Sequence, residues 1–397
     1  MGKATGHNAP DTKAVRGFLQ GLIALSLLMG LSIGYSRVIT TLYAVELGAT
    51  GWMLAALAAA QSIGMLILAT SAARWVERYG VHAVFVLGSA WGMVICLFTP
   101  VVPTFPALLL FTAAASLAMP LRFVSINTIF MRRLKALGKQ RAGWFRAAHV
   151  IGMSFLGAVL ATTLFPIYGP NLAFWVAAAI FGLNIMVFMV GIGRHRPPAS
   201  DEQPVIRRSS LAELFRTALA RSVAFREFSI QSLNAYFAFY SVIIVLRYLH
   251  LPERTAGFVV AAQGVVFVLT LVTAGRTAVV HPQASRLIAV GMVVVSLLGL
   301  TMSQTAVQMC AGAAVLGCGL GLLQIINLTA FATLGEKIGF SQAASINALA
   351  GPCGGVFGGL VGGLVEPWIS PQVLFVAFIP LFAVLARTQA RPDARDA

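Results

Sequence analysis

The sequence predicts an all-α polytopic membrane protein, with twelve transmembrane helices in two bundles of six. Three observations carry this reading. Hydrophobic residues make up 58% of the 397 positions and charged residues 10%, whereas a soluble domain carries about 25% charged residues. A chain so poor in charge cannot clothe a soluble surface, and lipid can cover its apolar faces. Twelve apolar stretches punctuate the chain, and spanning the hydrocarbon as a helix takes about 20 mostly apolar residues. Basic residues crowd into alternate loops between those stretches.

Backbone groups in lipid must find their partners within the protein, so long apolar runs are helices. The alternating pattern of a membrane β-barrel is absent. The spans fall near residues 18–42, 51–72, 81–99, 104–129, 147–167, 171–192, 228–250, 255–274, 287–304, 306–330, 342–364 and 371–387. The first run, Phe18 to Leu42, is too long for a signal-peptide core and reads as a retained span. Pro100 to Pro103 and Pro166 to Pro170 supply turn chemistry in two of the shortest gaps. The loop 193–227 is the only long one. It carries Pro197, Pro198 and Pro204 and divides the spans six and six. The expected domains are therefore 1–192, a linker over 193–227, and 228–397. Within the linker, Leu211, Leu214, Phe215 and Leu219 at helical spacing among arginines predict a helix lying on the membrane surface.

The net charge of +16 does not point to nucleic acid, because the basic residues sit in short loops. The N-terminus, the even-numbered loops and the C-terminus hold 24 of the 28 Lys and Arg, and the odd-numbered loops hold only Arg254. The positive-inside rule then places both termini in the cytoplasm, an even span count agrees in placing them on one side, and the expected location is a bacterial inner membrane. A repeat of the two halves is faintly visible. Tyr43 and Thr50 bracket one loop as Tyr248 and Thr255 bracket its counterpart, and Ala59-Ala60-Gln61 resembles Ala261-Ala262-Gln263. Cys96, Cys310, Cys318 and Cys353 all lie in apolar runs, which argues against a disulfide framework or a zinc site. No P-loop is present and no cofactor is expected.

Six plus six spans with inside termini resemble the major facilitator superfamily over essentially the whole chain. Members carry a Gly-x-x-x-Asp-Arg-x-Gly-Arg-Arg type motif between spans 2 and 3. Here that stretch reads Ala73-Arg74-Trp75-Val76-Glu77-Arg78-Tyr79-Gly80-Val81-His82. Glu77, Arg78 and Gly80 match, with Glu for Asp, and the closing basic pair is replaced. The resemblance implies a gating latch of acid and arginine on the inner face, and a central site lined by spans 1, 4, 7 and 10. Span 11 carries Gly351-Pro352, Gly354-Gly355, Gly358-Gly359 and Gly362-Gly363, small residues that let helices approach closely.

Three basic residues fall within spans: Arg37 in span 1, Arg122 in span 4 and Arg247 in span 7. A charge at the bilayer centre costs at least about 2.5 kcal/mol, so each is a candidate functional group. Arg247 lies close enough to a span end to snorkel. Arg122 resembles the span-4 arginine of family exporters, although the glycine usual a few residues later is missing. None of the 12 acids lies deep in an expected span, and Glu227 falls in the cytoplasmic linker. Proton-coupled transporters bury a carboxylate; the candidates for that coupling role are Glu46, if it folds inward, and His149. Arginines without buried acids point to an anionic substrate. Gln61, Asn234, Tyr236, Tyr240, Gln263, Gln324, Asn327 and Asn347 could complete the site or serve as interhelical hydrogen bonds.

The resulting expectation is a monomeric secondary transporter rather than an enzyme. It sits in a lipid bilayer and moves a small anionic or zwitterionic organic molecule by alternating access, coupled to protons or a counter-anion. The span-4 arginine leans the reading toward export of a metabolite such as a carboxylate-type siderophore. Import or exchange of an organic anion, and a non-transporting sensor, are the alternatives.

Overall fold

The computed structural model describes residues 12–137, 147–191, 217–338 and 340–387. Among these, every regular element is helical. Eight helices are long and apolar enough to cross a membrane. One of them, Ala147–Gly191, has 45 residues. As a straight rod it would reach about 67 Å, twice the hydrocarbon thickness. It folds back instead at Gly169, whose φ of 74° leaves the helical region between Pro166 and Pro170. Trp52–Phe98 breaks in the same way at Gly80, with φ 81°. Shorter apolar helices cover Trp52–Leu68, Leu349–Val365 and Val373–Arg387. The eight, one of them doubled at Gly169, and these three make twelve segments, and the span numbers above carry over to them.

Proline shapes span 4. Phe105–Ser116 and Ala118–Leu137 are separate helices, because Pro120 has no N–H to offer the carbonyl of Ser116 and its ring crowds that carbonyl. The Ser116 side-chain hydroxyl donates to the Ala113 carbonyl at 2.7 Å and accepts from the Gly64 N–H at 3.0 Å. Span 4 is thereby tied to span 2 just before Arg122.

Span 7 begins earlier than the sequence suggests. The helix starts at Ala218, not near residue 228, and Thr217 caps it by accepting the Ala220 N–H at 3.1 Å. Ala220 and Ala224 pack against Leu334 of span 10 and Ala343 and Ile346 of span 11. The surface helix expected over 211–226 is thus replaced, from Ala218 onward, by the first turns of a buried span; residues 211–216 lie outside the described residues. Arg226 and Glu227, placed in a loop by the sequence reading, are 6% and 3% exposed within this helix.

The two halves pair their helices alike. Span 1 packs on span 5 as span 7 packs on span 11, and span 2 packs on span 4 as span 8 packs on span 10. Glycines mediate equivalent contacts. A Cβ on Gly30, Gly34 or Gly152 would overlap the backbone of His149, Met153 or Leu27 between spans 1 and 5. A Cβ on Gly354 or Gly358 would overlap the carbonyl of Phe228 or Ser232 between spans 7 and 11. The faint sequence repeat is therefore carried by packing geometry more than by side-chain identity.

Between the halves, span 2 meets span 11 and span 5 meets span 8. Gly363 lies on Gly51 and Ala55, Gly359 on Ala58, and Gly257 on Ala158 and Thr162. These contacts run from the end opposite the termini to about mid-span. At that far end the Gly51 N–H donates to Glu366 Oε2 at 2.5 Å, and the Tyr248 hydroxyl donates to Glu366 Oε1 at 3.2 Å. At the termini end Glu77, Arg78 and Gly80 are exposed, and the Arg78 guanidinium lies 5.4 Å from the ring of its neighbour Tyr79. Among the described residues no ion pair joins Glu77 or Arg78 to the other half. The two halves are thus joined at the far end, and Glu77, Arg78 and Gly80 are exposed at the termini end.

This packing makes a direct prediction. Gly358→Ala drives a methyl group onto the Ser232 carbonyl and should lower stability by about 1–3 kcal/mol, read as a lower midpoint of thermal unfolding in detergent. Gly299→Ala, at an exposed span-9 site with nothing within 4 Å, should leave that midpoint unchanged or raise it.

Candidate functional site

The site is built on a polar stripe along span 1. Ser32, Ser36 and Thr40 recur at every fourth residue, so they share one helix face with Arg37 beside them. Ser32 donates to the Met29 carbonyl and Thr40 to the Ser36 carbonyl, whereas the buried Ser36 hydroxyl has no hydrogen-bond partner among the described residues. Around this stripe lies a cavity enclosing about 660 Å³ of empty space, part of it open to solvent. Span 2 contributes Gln61, and span 3 contributes Cys96 and Thr99. Span 4 contributes Phe111, Thr112, Ser116, Met119 and Arg122, and span 6 contributes Phe174 and Phe181.

Arg122 is the chemical centre. It is 1% exposed. Its Nη2 donates to Ser32 Oγ at 2.8 Å, and its guanidinium carbon lies 4.5 Å from the centre of the Phe181 ring. Ring face and hydroxyl position the planar cation, and Nε has no hydrogen-bond partner among the described residues. Arg37 lines the same cavity and is half-buried, and its backbone carbonyl accepts from Gln61 Nε2 at 3.4 Å. Among the described residues, no carboxylate lines this cavity. Two guanidinium groups in one cavity without an acid make a positive, partly desolvated site, suited to bidentate bonds with a carboxylate or phosphate.

The other candidates are placed elsewhere. Arg247 sits on the π-helical turn Ile244–Tyr248 at the far end of span 7, away from the cavity. Tyr236 and Tyr240 stack at 4.7 Å and tie helices together, with Tyr236 donating to the Pro371 carbonyl and Tyr240 to the Gly359 carbonyl at 2.8 Å. Gln263 Nε2 donates to Asn234 Oδ1 at 3.3 Å within the C-terminal half. Gln324 is buried in span 10, and Asn347 is half-buried in span 11. Glu46 is exposed at the end of span 1, and His149 packs edge-on to Phe123, 6.3 Å between ring centres. This cavity draws on spans 1, 2, 3, 4 and 6.

A second polar cluster escaped the sequence reading. Glu227 accepts from Asn327 Nδ2 at 2.7 Å through Oε2, and from Gln231 Nε2 at 2.9 Å through Oε1. This buried carboxylate corrects the expectation that no acid lies within a span. The missed signal was Thr217, a helix cap ten positions before Glu227. For the cavity, the missed signal was the four-residue spacing of the span-1 hydroxyls.

Two bundles with the same internal pairing meet at one end, and the N-terminal bundle holds a polar cavity with two arginines, an arrangement suited to a membrane transporter. Residues 22–246 match the model of the Major Facilitator Superfamily, and the chain belongs to that family. No curated relative matches it in sequence. Among solved structures it is similar to the crystal structure of the nucleoside transporter NupG, at 15% identity and a TM-score of 0.74, over 93% of this chain and 97% of that one. A point mutant of NupG matches equally, at 15% identity and a TM-score of 0.74, over 93% and 98% of the two chains. At that identity the likeness is one of fold. The family makes the chain a transporter of a small substrate.

The geometry around Arg122 is testable without a substrate. Ser32→Ala removes a hydrogen bond to a charged group, worth about 1.5–3 kcal/mol. Phe181→Leu removes a cation–π contact worth about 0.5–2 kcal/mol. Each should lower the thermal unfolding midpoint. In an Arg122→Met background both substitutions should cost clearly less, because their effects act through the same group.

Proposed function

We propose that this chain is a secondary active transporter of a small organic anion, or of a zwitterion through its anionic group. The observation that carries this is the pair Arg37 and Arg122 in one cavity whose lining, among the described residues, holds no carboxylate. A buried guanidinium without an acid is costly, and a substrate anion supplies the missing partner. Export is the direction we infer, with a carboxylate-type siderophore as the leading cargo. Both rest on the likeness of Arg122 to the span-4 arginine of efflux members. Alternating access follows from a two-bundle design whose halves join at the far end, with Glu77 and Arg78 exposed at the termini end. The positive-inside pattern puts the termini in the cytoplasm of a bacterial inner membrane, and protons or a counter-anion supply the driving force to a single chain.

The test compares metabolites inside and outside cells with and without this gene, under iron-replete and iron-starved growth. Export predicts that an anionic compound disappears from the medium and accumulates inside when the gene is deleted. Arg122→Met should reproduce the deletion, with flux reduced at least about tenfold for loss of a charge-assisted pair, whereas Arg247→Gln should behave as wild type. A compound left unconsumed in the medium of the deletion strain would make the protein an importer.

A further inference from the structure

The hydroxyls that line the cavity are polarised by the bonds they make to the backbone. Thr40 donates to the Ser36 carbonyl at 2.7 Å, and Thr99 donates to the Ile95 carbonyl at 2.7 Å. Both side chains are buried and line the cavity. A hydroxyl has one proton and two lone pairs. Each threonine has therefore spent its donor on its own helix and meets the cavity as an acceptor.

Ser36 is the opposite case. Its Oγ is buried without a hydrogen-bond partner among the described residues, and so is Arg122 Nε. The two unmet donors belong to one corner of the cavity. Ser36 follows Ser32 by one turn, about 5–6 Å along the same face, and Ser32 Oγ accepts from the Arg122 guanidinium. The Cys96 thiol lies beside Ser36 and Arg122, but sulfur is a weak acceptor and meets the need of neither. A buried donor left unpaired is costly, and one carboxylate can accept from both.

Donors and acceptors are thus separated along the membrane. Ser36 stands with Arg122 at mid-span. Thr40 lies one turn nearer the far end, where Thr99 lies near the end of span 3. An ionised carboxylate only accepts, so it pairs with the first group and offers nothing to the threonines. A hydroxyl on the same molecule donates to them. An ammonium would donate too, but as a third cation beside Arg37 and Arg122, and like charges at close range repel.

We propose that the cavity selects hydroxycarboxylates. Arg122 Nε and Ser36 seat the carboxylate, and Thr40 and Thr99 accept from a hydroxyl of the same molecule. This selectivity rests on the anion reading above and adds a second group to the cargo.

The test is a calorimetric titration of the full chain in detergent with malate, succinate and aspartate. These four-carbon dicarboxylates differ at one substituent, which is a hydroxyl, a hydrogen or an ammonium. Malate should bind about three- to tenfold more tightly than succinate, the worth of one neutral hydrogen bond, and more tightly than aspartate. Citrate should exceed tricarballylate, its analogue without the hydroxyl, in the same sense. Thr40→Val combined with Thr99→Val should weaken malate, leave succinate unchanged and remove most of the preference. The matching pair Thr40→Ser and Thr99→Ser should keep it, which separates a lost hydroxyl from a disturbed fold. Ser36→Ala should weaken malate and succinate by the same factor, because both carry the carboxylate. Arg122→Met should abolish binding of both.

Equal affinity for malate and succinate, tighter binding of aspartate, or a full preference in the double valine variant overturns the selectivity. If that binding still depends on Arg122, the anion site stands. Binding that survives Arg122→Met overturns the carboxylate seat. Binding of none of these compounds overturns the selectivity as well, and the metabolite comparison then decides the anion reading alone. The titration does not depend on transport direction, so a failed export test leaves its result in place.

Discussion

Close approach of helix backbones is the constraint on which this structure depends. In lipid there is no water to expel from between two helices, so association rests on contact and interhelical hydrogen bonds. The chain meets this demand with glycines set against carbonyls. Gly30 and Gly34 admit span 5 to span 1, Gly354 and Gly358 admit span 11 to span 7, and Gly359 and Gly363 admit span 11 to span 2. Span 11 is thus bare on two faces, one toward its own half and one toward the other. That explains its paired glycines, because single ones would free only one face.

Charge is distributed unevenly between the halves, and the difference is physical. The N-terminal half buries a cation whose shell is a hydroxyl and an aromatic face, Ser32 and Phe181 around Arg122. The C-terminal half buries an anion whose shell is two amides, Asn327 and Gln231 around Glu227. Neither group neutralises the other within one cavity. Each is held by neutral neighbours rather than by an opposite charge.

Much of this was legible in the sequence, and the rest was hidden for definite reasons. The twelve segments followed from hydropathy, and the folds at Gly80 and Gly169 coincide with a family-like motif and a proline-bracketed gap. Arg37 and Arg122 stood out because charge in an apolar run is conspicuous. Glu227 did not, because Arg221 and Arg226 precede it and made the helix start look like a loop; one threonine cap at 217 shifts the boundary by about three turns. Tyr236 and Tyr240 share a helix face, as expected, but face proline and glycine carbonyls. Periodicity gives the face of a helix and says nothing of what stands opposite. Cys96, Thr112 and Phe181 entered the cavity through tertiary packing that no local pattern announces.

The far-end seal has one further consequence. Glu366 is held there by a main-chain donor, the Gly51 N–H, and by the Tyr248 hydroxyl. A main-chain amide is present whatever residue occupies its position, proline excepted. At this hydrogen-bonded point, side-chain substitutions act through Tyr248 and Glu366 of the C-terminal half, whereas the N-terminal half contributes a main-chain group.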